Sequence, residues 1–285
     1  MFRFVQEQAV RHRVGLLCHV LGISRSGFYA YRGRSPSALV RANEELLAQI
    51  REIHQGSQET YGSPRIYRAL QQRGISCSRK RVARLMRVHR IRAKTKRRFK
   101  VTTRSRHGLP VAPDLLGRDF HAPAPNRIWT SDITYVWTRE GWVYLAVILD
   151  LYSRLVVGWE LSDRLTADLV TTALQRAVDR RHPGPALIFH SDRGRQYISQ
   201  ELRWVIERHA IRPSMGATGS CYDNAVTESF FHTLKTEHTF FHRYHTREEA
   251  RHSIFQYIEI FYNRHRLHST IGNLSPWQFE QQNLP

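Results

Sequence analysis

The stretch that decides the fold is IWTSDITYVWTREGWVYLAVILD, residues 128–150. Its two arms, Ile128–Val136 and Trp142–Asp150, are rich in β-branched and aromatic residues, and the four residues Thr138–Gly141 between them suit a hairpin turn. One acid, Asp132, lies inside the first arm among apolar residues, where an unpaired charge is costly. The stretch therefore predicts an antiparallel β-hairpin that carries a carboxylate away from the solvated surface.

The sequence after this hairpin predicts a mixed sheet. Three antiparallel strands are followed by alternating helices and strands, a pattern typical of a sheet with helices on both faces. The predicted fold class is α/β, a five-stranded ribonuclease-H-like mixed sheet flanked by helices and preceded by an all-α helix-turn-helix region. The further predicted elements are strands at Leu155–Leu161, Ala186–His190 and Ile211–Ser214, and helices at Thr166–Arg181, Gln200–His209, Asp223–Lys235 and, last, Thr246–Arg264.

Two more acids fall at positions where they can join Asp132. Asp192 comes just past the fourth predicted strand, and Glu228 lies on a predicted helix with 35 residues between the two. Adjacent central strands bring the two aspartates together, and the glutamate can approach from its helix. Three carboxylates in this arrangement can hold two divalent cations, Mg²⁺ or Mn²⁺, about 3.5–4 Å apart, a pair that serves phosphoryl transfer. We therefore predict Asp132, Asp192 and Glu228 as catalytic residues and metal ligands.

Basic and polar residues beside these acids are candidates for DNA contacts. Asn224, Glu228 and Lys235 are spaced i, i+4 and i+11 on one predicted helix, so they share a face and Lys235 can reach a DNA phosphate. Arg193 is a further phosphate candidate, although a loop arginine is more often solvated. His190 fits either a neighbour of the metal site or a core histidine, and we prefer the second interpretation.

The positive charge of the chain is segregated. Of 285 residues, Lys and Arg number 44 and Asp and Glu 24, for a net charge of +20. Residues 1–110 hold 25 of the basic and 5 of the acidic residues, so residues 111–285 are neutral. This asymmetry indicates a polyanion-binding region joined to a neutral domain.

Two helix-turn-helix patterns lie in the basic region. The first spans residues 13–29, with Gly22 at the turn and Ser24 as the cap of the second helix. The second spans residues 63–82, where Gly74-Ile75-Ser76 repeats the turn pattern, and residues 34–43 link the two. In each unit the second helix would enter a DNA major groove. The alternative is that the units are ordinary helical hairpins, and it is stronger for the first unit than for the second.

A basic run continues from the second unit. Residues 87–106 hold ten Lys or Arg and no acid, a composition that favours an extended segment following phosphates. A solvated linker without a partner is the alternative. The predicted DNA-binding residues of this unit and the run are Arg79, Lys80, Arg81, Arg84, Lys94, Lys96, Arg97, Arg98 and Lys100.

These patterns divide the chain into three predicted domains and exclude several classes of protein. The domains are an N-terminal helix-turn-helix at 1–55, a second helix-turn-helix with basic linker at 56–110, and a catalytic core with a C-terminal helical extension at 122–285. No apolar run approaches the length of a membrane span, and the first residues show no signal-peptide pattern. We therefore expect a cytoplasmic, nucleoid-associated protein. The three cysteines are far apart, and the clustered His238, His242 and His245 have no cysteine pair, so no zinc is expected.

Five motifs resemble those of bacterial insertion-sequence transposases of the IS3 family, second-frame (OrfB) type, which have a retroviral-integrase-like core. The similarity covers nearly the whole chain, and its catalytic pattern falls on Asp132, Asp192 and Glu228, with the family's basic residue on Lys235. Retroviral integrases carry an N-terminal histidine/cysteine zinc module, whereas this chain has the helix-turn-helix region. The matching stretches are Tyr61–Ile66, Trp129–Tyr135, His190–Gly194, Tyr222–Ser229 and Tyr262–Ser269.

The resemblance implies a mechanism and partners. Water activated between the metals cleaves the transposon end, and the resulting 3′-hydroxyl attacks another phosphodiester without a covalent protein–DNA intermediate. The family typically joins its ends in a figure-eight, resolved into a circle before insertion. The implied partners are terminal inverted repeats and target DNA, further copies of the chain on DNA, and an upstream-frame helix-turn-helix protein as a fusion partner.

Two other functions remain open from the sequence. A metal-dependent nuclease of the same fold without strand transfer shares the three acids but has little use for two helix-turn-helix units. A DNA-binding regulator with an inactive core fits the basic region but not the intact acids. A tyrosine recombinase is set aside because it works without metal.

Overall fold

The computed structural model describes residues 1–35, 37–94, 112–117, 119–216 and 225–283. Five of the predicted DNA-binding residues, Lys96, Arg97, Arg98, Lys100 and Asn224, lie outside the described residues. Within the described ranges, no helix is both long and apolar enough to cross a bilayer.

The first three helices form a small unit with its own core. They are α1 (Phe2–Gln8), α2 (Val14–Val20) and α3 (Arg25–Gly33), packed around the buried residues Val5, Cys18 and Phe28. Gly22 adopts a positive φ of 63° in the turn between α2 and α3, where other residues are strained. The Ser24 hydroxyl accepts a hydrogen bond from the Gly27 N–H, which caps α3 as predicted.

A second helical unit follows and begins earlier than predicted. It consists of α4 (Ala38–Gly56), α5 (Ser63–Gln72) and α6 (Arg79–Val88), which pack on one another. The segment 34–43, predicted as a linker, is helical from Ala38 because Ser37 caps α4 and Leu46, Ile50 and Ile53 pack the helix against α5 and α6. The predicted linker is therefore mostly part of the second helical unit, and the predicted domain boundary at residue 55 stays a prediction.

The remaining chain builds a five-stranded mixed sheet, as the sequence predicted. The strand order is β3-β2-β1-β4-β5, in which β1, β2 and β3 pair antiparallel while β1/β4 and β4/β5 pair parallel. The two central strands are therefore β1, which carries Asp132, and β4, which ends just before Asp192. The strands are β1 (Ile128–Thr138), β2 (Gly141–Asp150), β3 (Val156–Ser162), β4 (Ile188–Ser191) and β5 (Arg212–Met215).

Helices cover both faces of the sheet. On one face α7 (Ala167–Arg181) and α8 (Gln200–Arg208) pack over residues such as Trp129 and Ile148. On the other face α9 (Ala225–Glu237) and α10 (Arg247–Phe255) pack over alternate strand residues. This second core is continuous with the core of α4–α6, so the second helical unit packs against the rest of the chain through a shared core.

The C-terminal segment differs from the single helix predicted over Thr246–Arg264. After α10 the chain widens into a π-helical segment, Gln256–Tyr262, and a further helix, α11 (Pro276–Asn283), follows. The amide of Asn263, directly after the π segment, accepts from the Val156 N–H and donates to its carbonyl, at 3.0 Å each. This pairing satisfies the backbone of edge strand β3, a requirement that a helical pattern alone does not reveal.

Candidate active site

The sheet register brings Asp132 and Asp192 to the same edge. In the parallel pair β1/β4, Thr130 lies opposite His190, and two residues further along each chain come Asp132 and Asp192. Because strand side chains alternate, Asp132 shares a face with Thr130, which contacts α9. The half-buried Asp132 is therefore directed to the side of the sheet from which α9 supplies Glu228.

A pair of buried hydroxyls fastens α9 to β1 beside the acids. The Thr227 Oγ1 donates a hydrogen bond of 2.9 Å to the Thr130 Oγ1, and both side chains are fully buried. Thr227 directly precedes Glu228, and Thr130 lies two residues before Asp132. This bond therefore limits how far the helix carrying Glu228 can shift from the strand carrying Asp132. Sequence reasoning missed both threonines, although their positions within the acidic motifs were a usable signal.

The loop that carries Asp192 is held by its own backbone. The Gly194 N–H donates to Asp192 Oδ1 at 2.9 Å, and a Cβ added at Gly194 would lie 3.0 Å from the same oxygen. Arg193, predicted as a phosphate contact, donates its Nε–H to the Gly216 carbonyl at 2.8 Å and so ties the loop to the end of β5.

The three acids share one electrostatic environment. Burial, together with the charges of Asp192 and Glu228, raises the pKa of Asp132 to about 8, against a hydrogen bond from the Ile133 N–H and the charge of Lys235. Burial likewise raises the pKa of Glu228. At Asp132 the two like charges act in the same direction as burial, so negative charge is concentrated at this position. The arrangement therefore favours binding of cations.

Lys235 lies close to this group. It is two turns beyond Glu228 on α9, and its Nζ lies 5.0 Å from the centre of the Tyr135 ring. Burial lowers the pKa of Lys235, whereas the charge of Asp132 opposes that shift. The ammonium group is thus at the border of the acidic site, and its predicted phosphate contact stays a prediction.

The donor set fits hard divalent cations. All three acids supply carboxylate oxygens, the ligands that Mg²⁺ and Mn²⁺ prefer. Among the described residues no group of three or more His, Cys, Asp or Glu side chains is placed so that it could hold a metal ion. One oxygen of each aspartate is occupied by a backbone N–H, of Ile133 and Gly194, which holds both carboxylates towards their own chain segments. The prediction of a two-metal site stays a prediction.

We expect the stability of the metal-free protein to fall as pH rises from about 4 to about 8. Over this range the unfolded chain has released the Asp132 proton while the folded protein retains it, so folding is weakened. Because Asp132 is only half-buried, the loss is on the order of 1–2 kcal/mol. Urea unfolding in the presence of a chelator, at pH 5 and at pH 8, measures this loss of stability.

Two variants make this measurement specific. Asp132→Asn, which cannot ionise, should lose less stability between the two pH values than the unchanged chain. The matched control Asp163→Asn removes an exposed acid paired with Arg247 at 3.1 Å, and should keep the full pH dependence. Equal pH dependence in Asp132→Asn and the unchanged chain would contradict the raised pKa.

The predicted DNA contacts of the second helical unit divide into two groups. Arg79, Lys80 and Arg84 are exposed on α6. Arg81 instead donates its Nε–H to the Asn43 Oδ1 on α4 at 2.8 Å. Lys94 forms an ion pair of 2.8 Å with Glu59 and lies 6.0 Å from the centre of the Phe241 ring. Arg81 and Lys94 thus have intramolecular partners, and all five stay predictions as DNA contacts.

Two further polar side chains support the site from within the core. His190 is buried and its Nδ1 lies 2.8 Å from the Ser214 hydroxyl, in agreement with a core histidine. The Tyr197 hydroxyl lies 3.0 Å from the Ser131 Oγ beneath the aspartates. Burial raises the pKa of Tyr197, as do the charges of Asp132 and Asp192. Tyr197 was not predicted, because nothing in its local sequence distinguishes it from a core aromatic residue.

Family models match three segments of the chain. A model described as an integrase core domain matches residues 122–221, and a second model with that description matches residues 228–284. A model described as an HTH-like domain matches residues 41–99, which include most of α4 together with α5 and α6.

Curated relatives match nearly the full length. A protein of Shigella sonnei described as the insertion element IS600 uncharacterized 31 kDa protein is 44% identical, covering 93% of this chain and 98% of its own. The transposase InsF for insertion sequence IS3A of Escherichia coli K12 is 42% identical, covering 99% and 98%.

Solved structures show more distant likenesses. The simian T-cell lymphotropic virus intasome in complex with PP2A regulatory subunit B56 gamma has a chain with a TM-score of 0.47 and 17% identity, covering 82% of this chain and 75% of that one. The HTLV-2 integrase catalytic core domain in complex with magnesium has a TM-score of 0.44 and 16% identity, covering 56% and 99%. Neither likeness is strong enough to bear on function. The identity of 42% over nearly the entire length decides the family: the chain belongs to the IS3 family of insertion-sequence transposases.

Proposed function

We propose that this chain is a DDE transposase, a polynucleotidyl transferase that cuts DNA at transposon ends and joins those ends to other DNA. Asp132, Asp192 and Glu228 are its catalytic acids and the ligands of two Mg²⁺ or Mn²⁺ ions. The observation that carries the proposal is the register of β1 and β4, which aligns the two aspartates at one sheet edge. Glu228 comes directly after Thr227, whose hydroxyl is hydrogen-bonded to Thr130 on β1.

Each element of the site has a distinct task in this reaction. When bound, the ions supply the Lewis acidity that activates the attacking oxygen and stabilises the leaving oxygen. The Thr130–Thr227 bond keeps β1 and α9 at a fixed separation, and Lys235 binds a phosphate of the strand being cut. The 3′-hydroxyl released by the cut serves as the nucleophile of the joining reaction, so one site performs both reactions.

The helical region supplies the DNA binding that this chemistry requires. The exposed Arg79, Lys80 and Arg84 of α6 contact the terminal inverted repeats, and the basic segment that follows binds the phosphate backbone. The α4–α6 unit is attached to the core through Tyr61, whose hydroxyl donates to the His265 carbonyl and accepts from the Leu267 N–H. DNA bound to α6 is thereby held in a fixed relation to the catalytic sheet.

The assembly and its place in the cell belong to the same proposal. The active form is an oligomer of this chain that brings two transposon ends together at the nucleoid, with target DNA as the second substrate. An upstream-frame helix-turn-helix protein fused to the chain contributes to end recognition.

The test is end joining by the purified protein. With labelled transposon-end DNA and Mg²⁺, we expect cleaved ends and a joined product, and no product after chelation with EDTA. Cleavage without joining would favour a nuclease of the same fold. Activity that survives chelation would contradict the metal-dependent mechanism. DNA binding without either reaction, at every metal tried, would favour a regulator with an inactive core.

A further inference from the structure

Three aromatic side chains form an exposed cluster at the end of the β1–β2 hairpin. Tyr135, Trp137 and Trp142 are 47%, 56% and 45% exposed. The Trp142 ring lies edge-on to both others, with centroids 5.0 Å from Tyr135 and 4.8 Å from Trp137. Aromatic surface of this extent is normally buried, so a contiguous exposed patch indicates a binding surface.

The aromatic cluster is preformed by the hairpin. Tyr135 and Trp137 are alternate residues on one face of β1, and Trp142 pairs with Trp137 across the turn. The Thr138 hydroxyl donates to the Gly141 carbonyl at 2.7 Å, which closes the turn. The Arg139 N–H donates to the Tyr244 carbonyl at 3.1 Å and attaches the hairpin to the chain before α10. Little conformational entropy would therefore be lost when a flat ligand binds.

Lys235 connects the aromatic cluster to the acidic site, and two arginines lie at the same end of the hairpin. Tyr135 lies three residues beyond Asp132 and therefore on the other face of β1, but the Lys235 Nζ lies 5.0 Å from the centre of the Tyr135 ring and its charge acts on Asp132. Two exposed arginines, Arg139 and Arg243, flank the backbone bridge between Thr138 and Tyr244. Flat aromatic rings within a cationic border match a chain of bases and phosphates.

We propose that the aromatic cluster is a stacking platform for unpaired bases of the DNA strand that enters the acidic site, with Lys235 binding the adjoining phosphate. This inference rests on the proposed function and deepens it by naming the form of DNA that is held there. A duplex hides the faces of its bases, so the platform takes a single strand. Every base has a π face, so stacking is independent of sequence. A second copy of the chain is the alternative occupant, which the molar-mass measurement below distinguishes from single-stranded DNA.

The experiment measures single-strand affinity without chemistry. The full-length protein is titrated in EDTA with a single-stranded oligonucleotide of about 12 nucleotides that carries 2-aminopurine, whose fluorescence is quenched by stacking. We expect Trp137→Ala and Trp142→Ala each to weaken binding about tenfold and to reduce the quenching. Trp204→Ala removes a tryptophan that is 66% exposed on α8, outside the cluster, and should bind like the unchanged chain.

Further variants distinguish stacking from loss of structure. Trp137→Phe keeps a ring and should retain most of the affinity, whereas Trp137→Leu keeps apolar volume and should bind as weakly as Trp137→Ala. Circular dichroism and thermal midpoints verify folding. The proposal is overturned if the alanine and leucine variants bind the oligonucleotide as tightly as Trp204→Ala.

A lower molar mass of Trp137→Ala in light scattering, with unchanged single-strand affinity, would also overturn the proposal and assign the cluster to contacts between copies. The proposed function fails separately, because it is judged by joining in Mg²⁺ and this binding assay contains no metal.

Discussion

Replacing Asp132 by asparagine should reduce both end cleavage and end joining on the order of 10³-fold or more. The substitution keeps the size of the side chain and removes its charge. Asp132 lies on central strand β1, and Asp192 and Glu228 are close enough to raise its pKa. In the proposed function this carboxylate is a ligand of the cation site that both reactions need, so its loss should weaken both. Gel-resolved products of labelled transposon-end DNA in Mg²⁺ measure the two reactions separately.

Binding and folding should persist in this variant. The helical unit that carries Arg79, Lys80 and Arg84 is distant in sequence from Asp132, so affinity for end DNA in a mobility-shift assay should stay within about twofold. Asp163→Asn, the matched control, removes an exposed acid from the loop after β3 and should keep full activity. Cleavage by Asp132→Asn at the rate of this control would contradict the assignment of Asp132 as a catalytic ligand.

The sheet could be predicted because its strands carry local signals. The hairpin of residues 128–150 carries β-branched and aromatic residues on both sides of a turn, and the predicted order of the strands along the chain is confirmed. Strand ends shifted by one or two residues, as at β5, where the predicted Ile211–Ser214 became Arg212–Met215. Pairing with β4 sets those ends, and pairing partners are not visible in a local pattern.

The C-terminal segment shows where local patterns stop being sufficient. The periodicity of Thr246–Arg264 predicts one helix, but the structure contains a π-helical segment before Asn263. The Asn263 side chain bonds the backbone of Val156, 107 residues earlier in the chain. A constraint at that separation leaves no trace in the helical pattern itself.

The charged residues of the candidate site could be predicted from the sequence, but the hydrogen bond between Thr130 and Thr227 that joins β1 to α9 could not. Asp132, Asp192 and Glu228 are identifiable because acids beside apolar segments require a reason. Thr130 and Thr227 look like ordinary strand and helix residues until the two elements are packed together. Charge alone likewise cannot separate exposed Arg84 from Arg81, whose partner Asn43 lies 38 residues upstream.

Replacing Arg266 by alanine should lower the free energy of unfolding by about 3–5 kcal/mol. Arg266 is 4% exposed and forms a two-pronged pair with Glu237, in which Nε donates to Oε2 and one Nη donates to Oε1, both at 2.7 Å. Burial by itself lowers the pKa of Arg266, but the hydrogen bonds and charge of Glu237 outweigh it and raise the pKa above its usual value. Truncating the arginine leaves a mostly buried carboxylate with one remaining partner.

That remaining partner makes the loss functional as well as structural. Arg65 on α5 reaches the Glu237 Oε1 at 3.2 Å, so Glu237 joins the second helical unit, the end of α9 and the C-terminal segment. Lys235 and Glu228 lie on the same helix. Loosening its end should therefore uncouple DNA binding from catalysis, and cleavage should fall more than affinity for end DNA.

Urea unfolding of Arg266→Ala is compared with that of a variant of an exposed ion pair. The comparison decides whether burial of the pair causes the loss of stability. Arg73 pairs with Glu52 at 2.9 Å, with side chains 40% and 62% exposed, and Arg73→Ala should cost less than about 1 kcal/mol. Arg266→Lys keeps the charge but cannot form both bonds, so its loss should lie between the two. Equal unfolding midpoints for Arg266→Ala and Arg73→Ala would show that solvent or a neighbouring basic side chain compensates the charge of Glu237. Arg65, at the same carboxylate, would then be sufficient to hold the second helical unit on the end of α9.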